Sequence, residues 1–188
     1  MTDQPKPVSP LLNYQCPLCQ QALVFADKCY RCNNNHSFDQ AKEGYVNLLP
    51  VQHKHSKDPG DNKEMVNARR SFLDLGFYNP LVKAINNLQK KYCSNEAIIL
   101  DAGCGEGFYT HQHKIASNQV YGVDIAKTAV RIAAKRYKNC FFSVGTLSNL
   151  PFHDDFFDFI YSIYAPILED EFSRVLKTQG YLLTVTPA

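Results

Sequence analysis

Apolar and polar positions in the second half of the chain change period repeatedly, which predicts a succession of strands and helices. Short apolar runs predict five strands, over residues 97–101, 119–124, 139–144, 158–164 and 181–186. Helical spacing predicts five helices, over residues 64–75, 80–92, 109–116, 128–137 and 169–176. Because strands and helices alternate, we expect a parallel, doubly wound α/β sheet that binds its ligand at the carboxyl ends of the strands.

The first half of the chain has a different character. Residues 1–13 are polar and proline-bearing and are predicted to be a loose tail, whereas residues 14–40 are cysteine-rich and too short to build an apolar core. Residues 41–62 combine glycine and proline with basic residues and histidine, which predicts an extended connector. The sequence therefore predicts a small module at 14–40 joined to a main domain at 63–188.

The first helix of the main domain is predicted to be amphipathic. Its apolar positions share one helical face, and they are Met65, Ala68, Phe72, Leu73 and Leu75. We expect this face to pack on the core.

A glycine-rich turn follows the first predicted strand and reads Asp101-Ala-Gly103-Cys-Gly105-Glu-Gly107. Glycines at such a turn let the backbone approach a ligand closely. Asp124 ends the second strand, where a carboxylate can accept hydrogen bonds from both ribose hydroxyls. Strand, turn and distant acid together predict a site for an adenosine-bearing cofactor.

Two side chains in this turn select among such cofactors. A nicotinamide dinucleotide fingerprint requires a third glycine where Phe108 stands. Asp101, at the mouth of the turn, would repel a diphosphate but would attract the ammonium group of S-adenosylmethionine. The sequence thus predicts a methyltransferase, with a capping role as the alternative for Asp101.

The cysteine module has the spacing of a zinc site. Cys16 and Cys19 form one pair, and twelve residues later Cys32 and His36 form a second pair. Cys29 also lies two residues before Cys32 in the same spacing, so a four-cysteine site is the alternative. In either arrangement the metal would supply the folding energy of this polar segment.

Composition fits these predictions. The 188 residues have 45% hydrophobic side chains and a net charge of +2, which suits one ordinary domain plus a small module and disfavours a large phosphate-binding footprint. The seven cysteines, an odd number, favour reduced thiols, metal binding and a cytoplasmic protein. No apolar run of about 18 residues and no signal-peptide core occur, so no membrane association is predicted.

The chain resembles the bacterial 23S rRNA (guanine-N1) methyltransferases. The resemblance runs from about Tyr14 to the end, and its segments are residues 16–19, 36–39, 41–54, 58–61, 68–74, 103–107 and 163–166. It implies a Rossmann-like class I methyltransferase domain preceded by a zinc-binding module that recognises an RNA hairpin. The implied zinc ligands are Cys16, Cys19, Cys32 and His36, with Cys29 as a bystander.

The resemblance also implies cofactor contacts and an activity. Tyr78, Tyr109 and Thr110 match family positions that contact S-adenosylmethionine, and the implied reaction methylates N1 of a guanine in 23S rRNA. Alternative functions are methylation of another RNA or of a small molecule. A homodimer is a further expectation, because one hairpin can need more surface than one chain offers.

Methyltransferase sheets of this type have seven strands, whereas the sequence predicts about five. We therefore expect a C-terminally truncated chain whose last strand lies at the edge of an incomplete sheet, where unpaired backbone groups favour association. A non-catalytic RNA-binding remnant is the corresponding functional alternative.

Tyr164 is the candidate for a role at the target base. It follows the fourth predicted strand in Tyr164-Ala-Pro and could stack on a flipped guanine, or could only pack. Glu169 and Asp170 are candidate bases, or a solvated first helical turn. Basic residues at 53–57, with Lys63 and the pair at 69–70, form a surface suited to phosphates.

Overall fold

A computed structural model describes residues 14–50, 60–115 and 117–187. The predicted tail at 1–13 and the basic stretch at 53–57 lie outside these residues. The strands are β1 (Val24–Ala26), β2 (Cys29–Arg31), β3 (Ser37–Asp39), β4 (Val46–Asn47), β5 (Ile98–Ala102), β6 (Gln119–Asp124), β7 (Phe141–Val144), β8 (Phe157–Ile163) and β9 (Leu176–Val185). The helices are α1 (Lys63–Leu73), α2 (Asn79–Tyr92), α3 (Phe108–Gln112), α4 (Lys127–Arg136) and α5 (Glu169–Val175).

Six of the strands form one parallel sheet, in the order β4-β7-β6-β5-β8-β9. The chain moves outward from β5 through β6 and β7, and then returns to the other side of β5 with β8 and β9. This reversal opens a crevice beside the carboxyl end of β5, where doubly wound sheets bind ligands. The predicted fold class and all five predicted strands of the main domain are thus present.

The sixth strand, β4, comes from the segment predicted to be only an extended connector. Val46 and Asn47 pair in parallel with Ser143 and Val144 of β7. A strand of two residues leaves no periodicity in the sequence, and its pairing depends on residues nearly one hundred positions away. The segment predicted to be an extended connector thus contributes a short strand that the sequence did not predict.

The cysteine module is built around a separate antiparallel sheet, β1-β2-β3. It packs directly on the large sheet, because the ring of Tyr14 contacts Tyr121 at a centroid distance of 6.0 Å and Phe152 at 5.3 Å. Cys16 and Cys32 are buried in the same apolar cluster. The module therefore shares one core with the main domain.

Helix α1 buries Leu73 of its predicted apolar face, but most of that face is exposed. Met65, Phe72 and Leu75 are exposed, whereas Val66 and Leu73 are buried. The helix ends at Leu73, and Val66 packs on the start of α4. Apolar residues thus occur on more than one side of α1, which hydrophobic spacing alone could not resolve.

Strand β9 begins earlier than predicted. Phe157 pairs with Leu176 and Phe159 with Tyr181, so residues 177–180 bulge out of the ladder. β9 lies at one edge of the sheet, as predicted, with Tyr181 and Leu182 exposed.

Among the described residues, no helix combines the length and apolar character needed to cross a bilayer.

Candidate cofactor pocket and metal centre

The glycine turn begins directly after β5 and lies against the loop that follows β8. A Cβ atom on Gly103 would lie 2.4 Å from the Cβ of Ala165, and the φ angle of Gly103 is 82°. Both the space and the backbone conformation therefore require glycine. Because Gly103 has no side chain, the loops that follow β5 and β8 can approach each other closely and form one crevice.

Asp124 holds the turn from behind. Its Oδ2 accepts a hydrogen bond from the Gly105 N–H at 2.9 Å, and its Oδ1 accepts one from the Ala126 N–H at 2.8 Å. Burial raises the pKa of the Asp124 carboxyl despite these bonds. Gly107 caps α3 with a φ angle of 82°, and a Cβ there would lie 2.8 Å from Ala133.

Asp101 lies beneath the turn and is fully buried. Its Oδ2 accepts a hydrogen bond from the Thr110 hydroxyl at 2.5 Å. Burial raises the pKa of Asp101 to about 7, with a further increase from the negative charges of Asp124 and Glu106. A cation bound nearby would favour the ionised form of this carboxyl and lower its pKa.

A pocket opens where the glycine turn, α1, the start of α2 and the end of β8 meet. Its walls are Arg69, Phe72, Leu73, Tyr78, Gly103, Cys104, Gly105, Glu106, Phe108, Tyr109, Ile163 and Tyr164. Five of the residues predicted for the site are therefore brought together: Tyr78, Gly103, Gly105, Tyr109 and Tyr164. The other predicted residues, Asp101, Gly107, Thr110 and Asp124, support the turn from behind this wall.

Two polar atoms in the wall are buried without a hydrogen-bond partner among the described residues. They are Oε1 of Glu106 and the hydroxyl of Tyr109. Leaving such atoms unpaired costs about 1–3 kcal/mol each, so they are suited to a ligand that carries donors and acceptors. The amino-acid end of S-adenosylmethionine has both, and the residues present thus fit that cofactor.

Helix α1 supplies pocket residues that the sequence did not reveal. Phe72, which was predicted to pack on the core, lines the pocket, and so does Leu73, which is buried against Val82 and Phe108 as predicted. Arg69, predicted to contact phosphate, also lines it and pairs with Asp61 at 2.5 Å. No local signal distinguishes these roles, because α1 precedes the sheet and its position depends on long-range packing.

Tyr164 stands at the mouth of the pocket with an unusual backbone. Its φ angle is 55°, and its N–H donates to the Val185 carbonyl oxygen at 2.9 Å. The ring is half-exposed and meets the Tyr78 ring edge-on, with centroids 6.1 Å apart. Burial, together with a hydrogen bond to Tyr78, raises the pKa of the Tyr164 hydroxyl.

Glu169 and Asp170 do not reach this pocket wall. Both lie in the first turn of α5, where negative charges favour the helix N-terminus. The structure therefore favours the alternative in which they form a helical first turn.

The cysteine module brings its predicted metal ligands together. Sγ of Cys16 and Sγ of Cys32 each lie 3.5 Å from Nδ1 of His36, and Sγ of Cys19 lies 3.6 Å from Sγ of Cys32. All four ligand atoms lie within 4.8 Å of one another. Zn–S bonds of about 2.3 Å in a tetrahedron place sulfur atoms about 3.8 Å apart, so the four residues fit zinc.

Cys29 is outside this cluster. It is buried, and its thiol donates to the Tyr30 carbonyl oxygen at 3.7 Å. The geometry thus favours His36 over Cys29 as the fourth ligand. Burial raises the pKa of the Cys16 thiol to about 11, so metal binding there would release a proton.

Two families match the chain. Residues 14–57 match the N-terminal zinc ribbon of RlmA, and residues 99–180 match a methyltransferase domain. Among solved structures, a Corynebacterium glutamicum TehB-like S-adenosylmethionine-dependent methyltransferase has a TM-score of 0.51 at 22% identity and covers 65% of this chain and 73% of its own. A Methanococcus maripaludis protein, described provisionally as such a methyltransferase, has a TM-score of 0.57 at 19% identity over 70% of this chain and 68% of its own.

These likenesses and the position of the glycine turn define the class: a methyltransferase domain with the class I fold, joined to a zinc ribbon. Relatives extend the match to nearly the whole chain. Bacillus subtilis YxjB, named provisionally a 23S rRNA (guanine-N1) methyltransferase, is 34% identical over 93% of the chain. The Streptomyces fradiae 23S rRNA (guanine(748)-N1) methyltransferase is 33% identical over 92%. The chain is thus similar along nearly its whole length to 23S rRNA (guanine-N1) methyltransferases, and it spans 64% and 62% of the length of these two relatives.

Proposed function

We propose that the protein transfers a methyl group from S-adenosylmethionine to N1 of a guanine in a hairpin of 23S rRNA. The observation that carries this proposal is the pair of aromatic rings, Tyr78 and Tyr164, at the mouth of the glycine-turn pocket. Enzymes that modify a base in RNA take it out of its stack and hold it against such rings. The two relatives described above carry the same activity in their names.

The proposed cofactor contacts divide between the pocket wall and the residues behind it. Gly103 and Gly105 offer close backbone approach, and Tyr78 and Tyr109 offer aromatic faces and hydroxyls. Asp101, oriented by Thr110, would hold the ammonium group of the cofactor, and Asp124 would hold its ribose. Gly107 shapes the turn by capping α3.

The chemistry requires loss of the proton on guanine N1. S-adenosylmethionine, when bound, supplies a methyl group attached to a positively charged sulfur. Transfer of that methyl carbon to N1 would leave the electron pair of the carbon–sulfur bond on sulfur, as a neutral thioether, and would release the N1 proton to solvent. Tyr164 has a raised pKa and keeps its phenolic proton, so it is suited to stack on the base rather than to accept the N1 proton.

We further propose a division of labour along the chain. The module at 14–40, with zinc bound by Cys16, Cys19, Cys32 and His36, would recognise the hairpin, and residues 63–188 would perform the transfer. Residues 41–62 connect the two and contribute β4. A homodimer acting on rRNA in the cytoplasm is part of this proposal.

The test is methylation of a 23S rRNA transcript followed by reverse transcription. A methyl group on N1 blocks base pairing and therefore stops the reverse transcriptase at the modified guanine. We expect a new stop at one guanine with the wild-type protein. Tyr164→Ala should lower the rate at least about 100-fold, while Tyr164→Phe retains part of it. Tyr92→Ala is the matched control, because Tyr92 is also an exposed tyrosine and lies outside the pocket wall.

Other outcomes separate the alternatives. Methyl transfer to small molecules or other RNAs, with no stop on 23S rRNA, would replace the proposed substrate. Tight hairpin binding with no methyl transfer would identify a non-catalytic RNA-binding protein. Equal activity of wild type and Tyr164→Ala would remove Tyr164 from the site.

A further inference from the structure

A second groove lies on the other side of α1 from the cofactor pocket, between α1 and α4. Its walls are Lys63, Asn67, Arg70, Thr128, Arg131, Ile132, Lys135 and Arg136. Five of these side chains are cationic and none is acidic. This surface, called here the α1–α4 groove, has no role in the proposed chemistry.

Most of the positive charge in the groove is available to a ligand. Arg136 pairs with Asp74 at 3.0 Å, but Lys63, Arg70, Arg131 and Lys135 form no salt bridge within the part of the chain that the structure describes. Like charges placed side by side repel one another, so an anion between them would be stabilising. The net charge of the whole chain, only +2, means that this concentration is local.

The groove is also rigid. Its cations project from two helices, and these helices are joined beneath it by an apolar contact of Val66 with Ala126 and Ala129, against which Ile132 packs. Cations on helices that are fixed to each other keep a constant spacing, as an extended anionic backbone requires. Lysines on a mobile loop would not provide this.

The composition of the groove identifies the part of an RNA that it suits. Within the described part of the chain, no aromatic side chain lines it, so unpaired bases find no ring there on which to stack. Asn67 and Thr128 add neutral donors and acceptors beside the cations, as contacts to phosphate and to the 2′-hydroxyl require. The rings of Tyr78 and Tyr164 are instead found in the cofactor pocket, across α1.

We propose that the α1–α4 groove binds the sugar–phosphate backbone of the paired stem next to the loop that carries the target guanine. This inference rests on the proposed RNA substrate. Helix α1 would then contact the stem through Lys63 and Arg70 and the cofactor pocket through Arg69 and Phe72. Its two sides would fix the distance between the stem and the flipped base.

The experiment measures binding of a fluorescent 23S rRNA stem-loop by anisotropy at several salt concentrations. The test variant is Arg131→Glu with Lys135→Glu, and the control is Lys83→Glu with Lys90→Glu, two exposed positions on α2. Both change the net charge equally. We expect the test variant to bind at least about 10-fold more weakly and its salt dependence to lose about two counterions, while the control stays within about 2-fold of wild type.

Two further measurements make the result decisive. Melting curves show whether each variant folds, and the milder pair Arg131→Gln with Lys135→Gln replaces the first if it does not. Methyl transfer measured over a series of RNA concentrations should give the test variant an unchanged kcat and a raised KM. The groove assignment would be overturned if the test and control variants bound RNA equally weakly, or if the test variant bound as tightly as the wild type. In either case, methylation of the stem-loop by the wild type would still support the proposed function. Failure of the wild type both to bind and to methylate the stem-loop would overturn both proposals.

Discussion

Tyr164 holds a left-handed backbone conformation that costs a residue with a Cβ atom about 1 kcal/mol or more. Such strain persists only where the surroundings impose it, and it is concentrated at functional sites. Here the N–H bond to Val185 fixes the backbone while the ring stays half-exposed at the pocket mouth. Tyr164 is therefore placed for a ligand at the expense of local stability.

Replacing Tyr164 with glycine tests this placement. Glycine adopts positive φ without strain, and little buried surface is lost, so the free energy of unfolding should stay unchanged or rise by up to about 1 kcal/mol. Methyl transfer should fall at least about 100-fold, because the ring is gone. Chemical denaturation measures the first effect and the rRNA assay the second. A clear loss of stability would show that the ring serves packing.

Asp101 should make stability depend on pH. Its ordinary pKa is 3.8 and its pKa in the folded protein is about 7, so between these values the folded state binds more protons than the unfolded state. In the cofactor-free protein, the contribution of Asp101 to the free energy of unfolding is therefore lost as pH rises from about 4 to about 7. Burial lowers the pKa of His113 to about 3, which acts in the opposite direction.

The variant Asp101→Asn separates the pH dependence due to Asp101 from that due to His113, because it removes only the Asp101 carboxyl. We expect the variant to gain stability relative to wild type as pH rises from 5 to 8, by on the order of 1 kcal/mol per pH unit within the window. Denaturant unfolding at a series of pH values measures the difference. Parallel stability curves would show that Asp101 is ionised in the folded protein at all these values.

The zinc ribbon makes a prediction at its cysteines. Cys32→Ser and His36→Ala should each abolish stoichiometric zinc binding, because three ligands remain, and should lower the melting temperature. Cys29→Ser is the matched control: Cys29 is equally buried but lies outside the ligand cluster. Elemental analysis after dialysis gives the zinc content. Loss of zinc in Cys29→Ser with retention in His36→Ala would assign a four-cysteine site instead.

Elements with a strong local signal were predictable. β6 has its predicted bounds, Gln119–Asp124, and the glycine turn follows β5 as expected because its glycines answer a local steric need. β4 was not predictable, since two residues carry no period and their pairing with β7 is non-local. The apolar residues of α1 were visible, but whether Phe72 faces the core or the pocket depends on tertiary packing.

The candidate site also contains residues that were predictable from local sequence and residues that were not. Spacing alone predicted Cys16, Cys19 and Cys32, but could not choose between Cys29 and His36, because that choice depends on the fold of β2 and β3. The pocket contribution of Arg69 had no sequence signal that separated it from an ordinary surface cation.

Across the molecule, the zinc ribbon and the sheet share a core through Tyr14, Tyr121 and Phe152. The ribbon is therefore positioned on the methyltransferase domain by packing as well as by the connecting segment. If the α1–α4 groove also holds RNA, then ribbon, groove and pocket give one hairpin three separate surfaces of the protein. This arrangement explains how a chain of nearly neutral net charge could select a structured RNA.

Calorimetric titration of this 188-residue chain with S-adenosylmethionine measures directly whether the glycine-turn pocket binds that cofactor. We expect one site per chain with micromolar affinity, at least about 10-fold weaker binding in Tyr78→Ala, and unchanged binding in Tyr92→Ala. Absence of binding by a folded, zinc-loaded wild-type chain, or equal binding by Tyr78→Ala, would contradict the assignment of this pocket.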